Sequence, residues 1–120
     1  MANFNDPAQW EDYLTEFVAR NQARPSRFER FAEGEAAEEQ QLALLESITV
    51  EEQGNNAPRI VISRRDTTSP DQRLLTDAIA HVRSISPQLD QDGSEFGLRI
   101  EDEDNVVTIL RLQSTLDGDS

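Results

Sequence analysis

The first predicted element is an amphipathic helix near the start of the chain. Its apolar face carries five residues at helical spacing: Trp10, Tyr13, Leu14, Phe17 and Val18. Asp6 can cap this helix, and Pro7 suits its first position because an N–H group there would be unpaired in any case. The pattern predicts a helix from Pro7 to about Asn21, with its apolar stripe in the core.

A second stripe at helical spacing lies in the middle of the chain and consists of Leu74, Leu75, Ala78, Ile79 and Val82. Ser69 is a suitable cap, Pro70 follows it, and Gln72 completes a capping box. Pro87 cannot continue a helix. These signals predict a second amphipathic helix. His81, the single histidine, lies beside the stripe, and we interpret it as a structural residue.

Alternation with a period of two predicts strands elsewhere. Strands are expected over Phe28–Ala32, about Gln41–Glu51 and residues 58–65 (PRIVISRR), and the last two form a hairpin through the turn EQGNNAP. A second hairpin is predicted from two alternating sets: Phe96, Leu98, Ile100 and Val106, Thr108, Leu110, Leu112. Residues 33–47 remain open between strand and helix, because their composition favours a helix and the spacing of their leucines a strand.

The resulting order, α-β-β-β-α-β-β, predicts an α+β fold. In this fold a mainly antiparallel sheet packs one face against two amphipathic helices. A length of 120 residues corresponds to a single domain. Its folded core is expected over about residues 6–113, and residues 114–120 are expected to form a flexible acidic tail.

The segment PQLDQDGSEFGLRI, residues 87–100, has the outline of a calcium loop. With Gly93 at the sixth position, aspartates fall at the third and fifth. Arg99 then occupies the twelfth position, where an EF-hand has a bidentate glutamate, so we interpret the segment as an acidic turn that leads into a strand. The alternative is a metal site made of three carboxylates: Asp90, Asp92 and Glu95.

Composition adds a strong negative charge to this picture. The chain has 24 acidic and 11 basic residues, and its formal net charge is −13. All the basic residues are arginines. A dense carboxylate surface is suited to a salt-rich interior, where ions screen its self-repulsion, and this favours halophilic adaptation. The alternative is an ordinary acidic protein from a GC-rich genome that prefers arginine codons.

One basic island interrupts the acidic chain and consists of four arginines: Arg20, Arg24, Arg27 and Arg30. Arginine binds carboxylates and phosphates through a forked set of donors, so the island is a candidate binding site for an anion or a partner. Joined by Arg59, Arg64 and Arg65, it could bind nucleic acid, although the net charge opposes this. Salt bridges to neighbouring glutamates are the alternative.

Catalytic signatures are missing from the sequence. It has no cysteine, a single histidine, no nucleophile elbow, no zinc-protease motif and no glycine-rich phosphate loop. We therefore predict a non-catalytic protein-binding or accessory module without a cofactor, which acts on a protein partner or as a homodimer. The alternative is a carboxylate- or metal-dependent enzyme that uses Asp90, Asp92, Glu95 and the run Glu101–Asp104.

The first ten residues, MANFNDPAQW, have neither a basic region nor an apolar run, so no secretory signal is expected. No stretch approaches the roughly 18 apolar residues of a membrane span. The sequence therefore predicts a cytoplasmic protein.

Several of these elements together resemble a small bacterial domain of unknown function, family 5335. The resemblance rests on Trp10, Tyr13 and Leu14 in the first helix, the ESIT element that enters a hairpin, a mid-chain helix that ends near a proline, and the closing hairpin GLRI–acidic turn–VVTILRL. It spans about residues 10–112, and the chain departs from the pattern at Asn105, where a glycine is expected, and in its unusual acidity. The resemblance implies a single α+β domain and no activity.

Overall fold

The computed structural model of the chain describes residues 7–39, 42–68 and 70–113. In these residues one helix is followed by eight strands. The elements are α1 (Pro7–Asn21), β1 (Pro25–Ala32), β2 (Glu35–Glu38), β3 (Ala43–Glu51), β4 (Arg59–Arg65), β5 (Leu74–Ile79), β6 (Val82–Leu89), β7 (Glu95–Asp102) and β8 (Val107–Leu112).

All eight strands belong to one antiparallel sheet in the order β5-β4-β3-β1-β8-β7-β6. β2 lies outside this path and pairs with β1 beyond the short contact between β1 and β3. The two outermost strands, β5 and β6, are joined by only two residues, Ala80 and His81. So short a link requires the sheet to curl until its edges meet at one end. The curl gives the sheet a concave inner face.

Two backbone hydrogen bonds hold this link in place. The His81 N–H donates to the Asn56 carbonyl at 3.0 Å, and the His81 carbonyl accepts from the Glu103 N–H at 3.0 Å. The link is thereby fixed to the loop between β3 and β4 and to the turn between β7 and β8. His81 has a φ of 54°, a left-handed conformation that allows the chain to reverse between the two strands.

The core lies on the concave face, where helix α1 covers part of the sheet. Trp10, Leu14 and Phe17 of the helix have no exposed surface. They pack on the inward residues of the strands: Leu45, Ile48, Ile60, Ile62, Val82, Ile85, Leu98, Ile100, Leu110 and Leu112. Burial of this apolar area is the main source of stability in a fold of this size. The prediction of a first helix with a buried stripe is confirmed, and Asp6 lies outside the described residues.

The predicted second helix is wrong, and with it the α+β fold class with two helices on one face. Residues 74–79 form β5, whose backbone pairs with β4 from Arg65↔Leu74 to Ile60↔Ile79. Gln72 has a φ of 50°, which a helix excludes. The five stripe residues match helical spacing, and backbone pairing with β4 overrode this local preference. Ser69 lies outside the described residues.

The strand predictions agree better with the structure. The predicted strands at about residues 41–51 and 58–65 correspond to β3 and β4, and the last hairpin corresponds to β7 and β8. The segment 33–47, left open, contains β2 and the start of β3, and β1 begins three residues before the predicted Phe28. The predicted flexible tail, residues 114–120, lies outside the described residues. Within the described chain, no helix combines the length and apolar character that a membrane crossing requires.

Candidate functional site

The concave face is not covered by the helix along its whole length. At one end, where no residue of α1 takes part in the lining, it forms a cavity of about 380 Å³ that we call the open mouth. The strands and turns that line it are β1, β5, the 80–81 link, β7, the following turn and β8. Its lining residues are Phe28, Arg30, Asp77, Ala78, Ile79, Ala80, His81, Asp102, Asp104 and Thr108.

Strand register explains why these side chains meet. Asp77 lies opposite the buried Ile62 on the neighbouring strand, so it is on the concave side of the sheet, where 51% of its side chain remains exposed. Arg30 lies opposite Thr108 across β1 and β8, and Thr108 lies opposite Ile100 across β8 and β7. The inward alternation that supplies core residues near α1 therefore supplies polar residues at the open mouth.

A buried arginine lies next to the open mouth. Arg64 follows Ile60 and Ile62 at alternate positions of β4, and only 1% of its side chain is exposed. Its Nη1 donates to the Glu39 Oε1 at 2.9 Å and its Nη2 to the Glu39 Oε2 at 2.8 Å. Nη1 also donates to the Ser26 carbonyl at 3.1 Å. The forked pair gives the buried guanidinium a compensating charge and two charge-assisted hydrogen bonds.

Glu39 connects this arginine to the sheet. Its Oε1 accepts from the Phe28 N–H at 3.0 Å, and its own N–H donates to the Phe28 carbonyl at 2.8 Å. The Arg64 guanidinium carbon lies 4.4 Å from the centre of the Phe28 ring, within the range of a cation–π contact. Phe28 is thus held from one side by Arg64 and also lines the open mouth.

Two polar features of this region remain without a partner in the part of the chain that the structure describes. The Arg64 Nε is buried and has no hydrogen-bond partner there. Arg30 makes no ion pair with any described carboxylate, whereas nine of the eleven arginines do. Arg24 instead donates to the carbonyls of Glu95 and Gln113 at 2.9 and 3.0 Å. Arg30 is therefore a cation available to an external anion.

The three acidic residues of the open mouth differ in the hydrogen bonds and ion pairs that their carboxylates make. The Asp102 Oδ1 accepts from the backbone N–H groups of Asp104 and Val106, at 2.9 and 3.1 Å, so it organises the turn after β7. Asp77 lies 3.8 Å from the Arg64 Nη2, a distance that makes a weak pair. The carboxylate of Asp104 is exposed and makes no ion pair within the described residues.

The four arginines predicted as one binding site are placed apart. Arg20 and Arg24 lie at the end of α1 and bind Glu95, through its carboxylate and its carbonyl respectively. Arg27 faces the outer side of β1 and pairs with Glu38 at 3.0 Å. Arg30 faces the inner side and lines the open mouth. The use of these residues in binding stays a prediction.

Two of the three carboxylates of the alternative metal site, those of Glu95 and Asp92, accept hydrogen bonds within the protein, and Asp90 takes part in the turn through its backbone. Glu95 accepts from the Tyr13 hydroxyl at 3.0 Å, from the Arg20 Nη2 at 2.6 Å and from the Asn21 Nδ2 at 2.9 Å. Asp92 accepts from the Ser94 N–H at 3.0 Å in the turn. Throughout residues 7–39, 42–68 and 70–113, no three His, Asp or Glu side chains are arranged to hold a metal ion.

The environment of Glu95 sets its ionisation. Burial alone would raise the pKa of this carboxyl, but the hydrogen bonds from Arg20, Asn21 and Tyr13 outweigh it, and the pKa is lowered. Burial, followed by the charge of Glu95 and the hydrogen bond to it, raises the pKa of Tyr13. Glu95 therefore stays ionised and fastens α1 to the start of β7. It has the character of a structural anchor rather than of an acid–base catalyst.

The run Glu101–Asp104 divides between two environments. Glu101 faces the outer side of β7 and pairs with Arg83 and Arg99. Asp102 and Asp104 line the open mouth. Strand alternation places Glu101 and Asp102 on opposite faces of the sheet, and Asp104 lines the cavity from the turn after β7.

Sequence reasoning missed two functional features, the Arg64–Glu39 pair and the open mouth. The signal for Arg64 was present, because it continues the inward positions Ile60 and Ile62 at a period of two. Once β4 was recognised as a strand, its register would have placed this arginine in the core. The open mouth could not be found, because Asp77 and His81 were assigned to a helix.

No family model, no curated protein and no solved structure matches this chain. Similarity to family 5335 therefore stays a prediction from the sequence pattern.

Proposed function

We propose that this protein is a non-catalytic binding module of the cytoplasm that pairs with a protein partner along strand β2. The observation that carries the proposal is the one-sided pairing of this strand. In the described residues β2 pairs with β1 alone, and all four of its residues are exposed. An edge of unpaired backbone groups is a surface to which an extended segment of another chain can add.

The neighbouring surface supports this use of β2. Phe31 lies opposite Ala36 in the register of β1 and β2, and 39% of its surface is exposed. With Glu29, Ala37 and Glu38 these two residues line a shallow cavity of about 310 Å³. The small side chain of Ala36 leaves room for a partner's side chain beside the Phe31 ring, and aromatic rings are common anchors in interfaces.

Charge limits the kind of partner. A net charge of −13 repels nucleic acid and other acidic molecules, so the partner is expected to be neutral or basic. We also propose that the acidic surface is an adaptation to a salt-rich cytoplasm, where this repulsion is screened. Two copies of β2 could instead pair across a two-fold axis to give a homodimer.

The test places a photo-crosslinking amino acid at Ala36 in native lysate at high salt. We expect one dominant product, which disappears when Phe31→Glu adds a charge to the surface. A matched control, Leu89→Glu, alters an exposed leucine of β6, far from β2 in the sheet order, and should leave the product unchanged.

The captured partner is then identified and titrated, in purified form, into isotope-labelled protein. Shifts of the amide signals of Phe31 and residues 35–38 would support strand addition. A product of twice the chain mass would assign the homodimer instead, and sedimentation would have to show the dimer without the crosslinker. A crosslink indifferent to Phe31→Glu, or amide shifts confined to other strands, would exclude β2 as the binding edge.

A further inference from the structure

The open mouth has the chemical features of a small-molecule site, and it is independent of the proposed role of β2. Its volume of about 380 Å³ lies within the roughly 300–1,000 Å³ of small-ligand cavities. Phe28 and Ile79 supply an apolar floor, and both also pack against the core. The floor is therefore rigid, which lowers the cost of ordering the site around a ligand.

The polar groups of the open mouth are of both signs. Arg30, free of described carboxylate partners, offers a forked donor to one anion. Three carboxylates, those of Asp77, Asp102 and Asp104, face the same cavity. None of them comes within ion-pair distance of Arg30, so the two charges are held apart in the free protein. A ligand that spans the cavity would pair with Arg30 and Asp104, which make no ion pair with any described residue, and would add a partner to Asp77 and Asp102.

The balance of charge narrows the ligand further. Three carboxylates and one guanidinium leave the lining with a net charge of −2 when His81 is neutral. A neutral zwitterion leaves this excess uncompensated, whereas a ligand with one carboxylate and two cationic groups reduces it. We infer that the open mouth binds a free basic amino acid, with its carboxylate on Arg30 and its cationic groups on Asp77, Asp102 and Asp104.

The test uses three probes of closely similar size. L-arginine has a carboxylate and a cationic side chain. Agmatine keeps the guanidinium and lacks the carboxylate, whereas citrulline keeps the carboxylate and has an uncharged side chain. Each is titrated into isotope-labelled protein at low salt, where ion pairs are least screened. We expect saturable shifts of the amides of Arg30, His81 and Asp104 with L-arginine, and an affinity about tenfold weaker for each of the other two probes.

Variants of the protein then test which residue binds the carboxylate of the ligand and which binds its cationic end. Arg30→Gln should weaken L-arginine about tenfold without weakening agmatine, and Asp104→Asn should weaken L-arginine more than citrulline, which has one cationic group fewer. The control Arg59→Gln removes an arginine that does not line the cavity and should change the affinity of none of the probes. All three positions are outside the core, so folding is expected and is checked by circular dichroism.

The inference fails if L-arginine gives no saturable shifts at the open mouth. It also fails if L-arginine and agmatine bind equally and Arg30→Gln affects neither, because the carboxylate would then have no site. Failure of strand addition at β2 would leave these results unchanged, because the cavity beside β2 and the open mouth have no lining residue in common.

Discussion

The two halves of the concave face share strands β7 and β8 and differ in the chemistry of their inward side chains. Under α1, inward positions of the strands carry leucine and isoleucine, and Trp10, Leu14 and Phe17 of the helix complete a dry core. At the open mouth, the inward positions carry Arg30, Asp77 and Thr108.

The contrast shows that strand alternation determines which face a side chain joins, and that the cover over that face determines its chemistry. Where a helix excludes water, only apolar groups or fully paired charges are stable. Where no element covers the sheet, charged groups remain hydrated without cost. Stability is thus concentrated in one half, and the capacity to bind a ligand in the other.

The largest expected effect on stability comes from truncating Trp10, which lies in the half of the concave face that α1 covers. Trp10→Ala should lower the free energy of unfolding by about 4 kcal/mol, because it leaves a cavity in a fully buried site. Urea denaturation followed by circular dichroism measures this. Asp104→Asn, in the open mouth, should change stability by less than about 0.5 kcal/mol. Equal losses for the two variants would contradict the division of roles.

The next effect concerns Arg64, which lies at the boundary of the two halves. Arg64→Ala should cost about 3 kcal/mol, because it leaves Glu39 without its cationic partner. Arg111→Ala breaks an equally forked pair with Glu29 that is nearer to solvent, and should cost at most about 1 kcal/mol. The same denaturation experiment compares them. A larger loss for Arg111→Ala would mean that burial of Arg64 adds nothing.

A smaller effect is expected at the anchor of α1. The folded state lowers the pKa of Glu95, so this carboxylate contributes stability above its unfolded pKa, and the contribution is lost as pH falls through the lower folded value. Glu95→Gln should lower stability by about 1.5 kcal/mol at neutral pH and flatten the decline below about pH 4.5. Urea midpoints measured from neutral to acid pH give both quantities. An unchanged acid slope would assign the decline to other carboxylates.

The smallest effect on stability per residue is expected from salt, which screens the repulsion between surface carboxylates. With a net charge of −13, the folded state should gain stability as potassium chloride rises from low to molar concentration. The melting temperature records the gain, and tetramethylammonium chloride at equal ionic strength controls for specific ion effects. A flat or falling melting temperature would exclude relief of carboxylate repulsion as the reason for this composition.

The sequence predicted α1, β3, β4 and the last hairpin, because each carries a long regular pattern with clear boundary residues. It failed at residues 74–82, where Leu74, Leu75, Ala78 and Ile79 satisfy helical spacing over barely two turns. The competing strand is stabilised by backbone pairing with β4, a contact between segments that no local pattern contains. Arg30 was predicted as a binding residue, but its separation from Arg20, Arg24 and Arg27 depends on the face of β1 that each occupies.

The two-residue link between β5 and β6 has a consequence for the size of the open mouth. Ala80 and His81 join β5 and β6, the two edge strands of the sheet order. This short connection fixes the curvature of the strands between them. A few residues inserted here would release that constraint, allow the sheet to flatten and widen the entrance. The width of the site is therefore set by the length of its shortest loop.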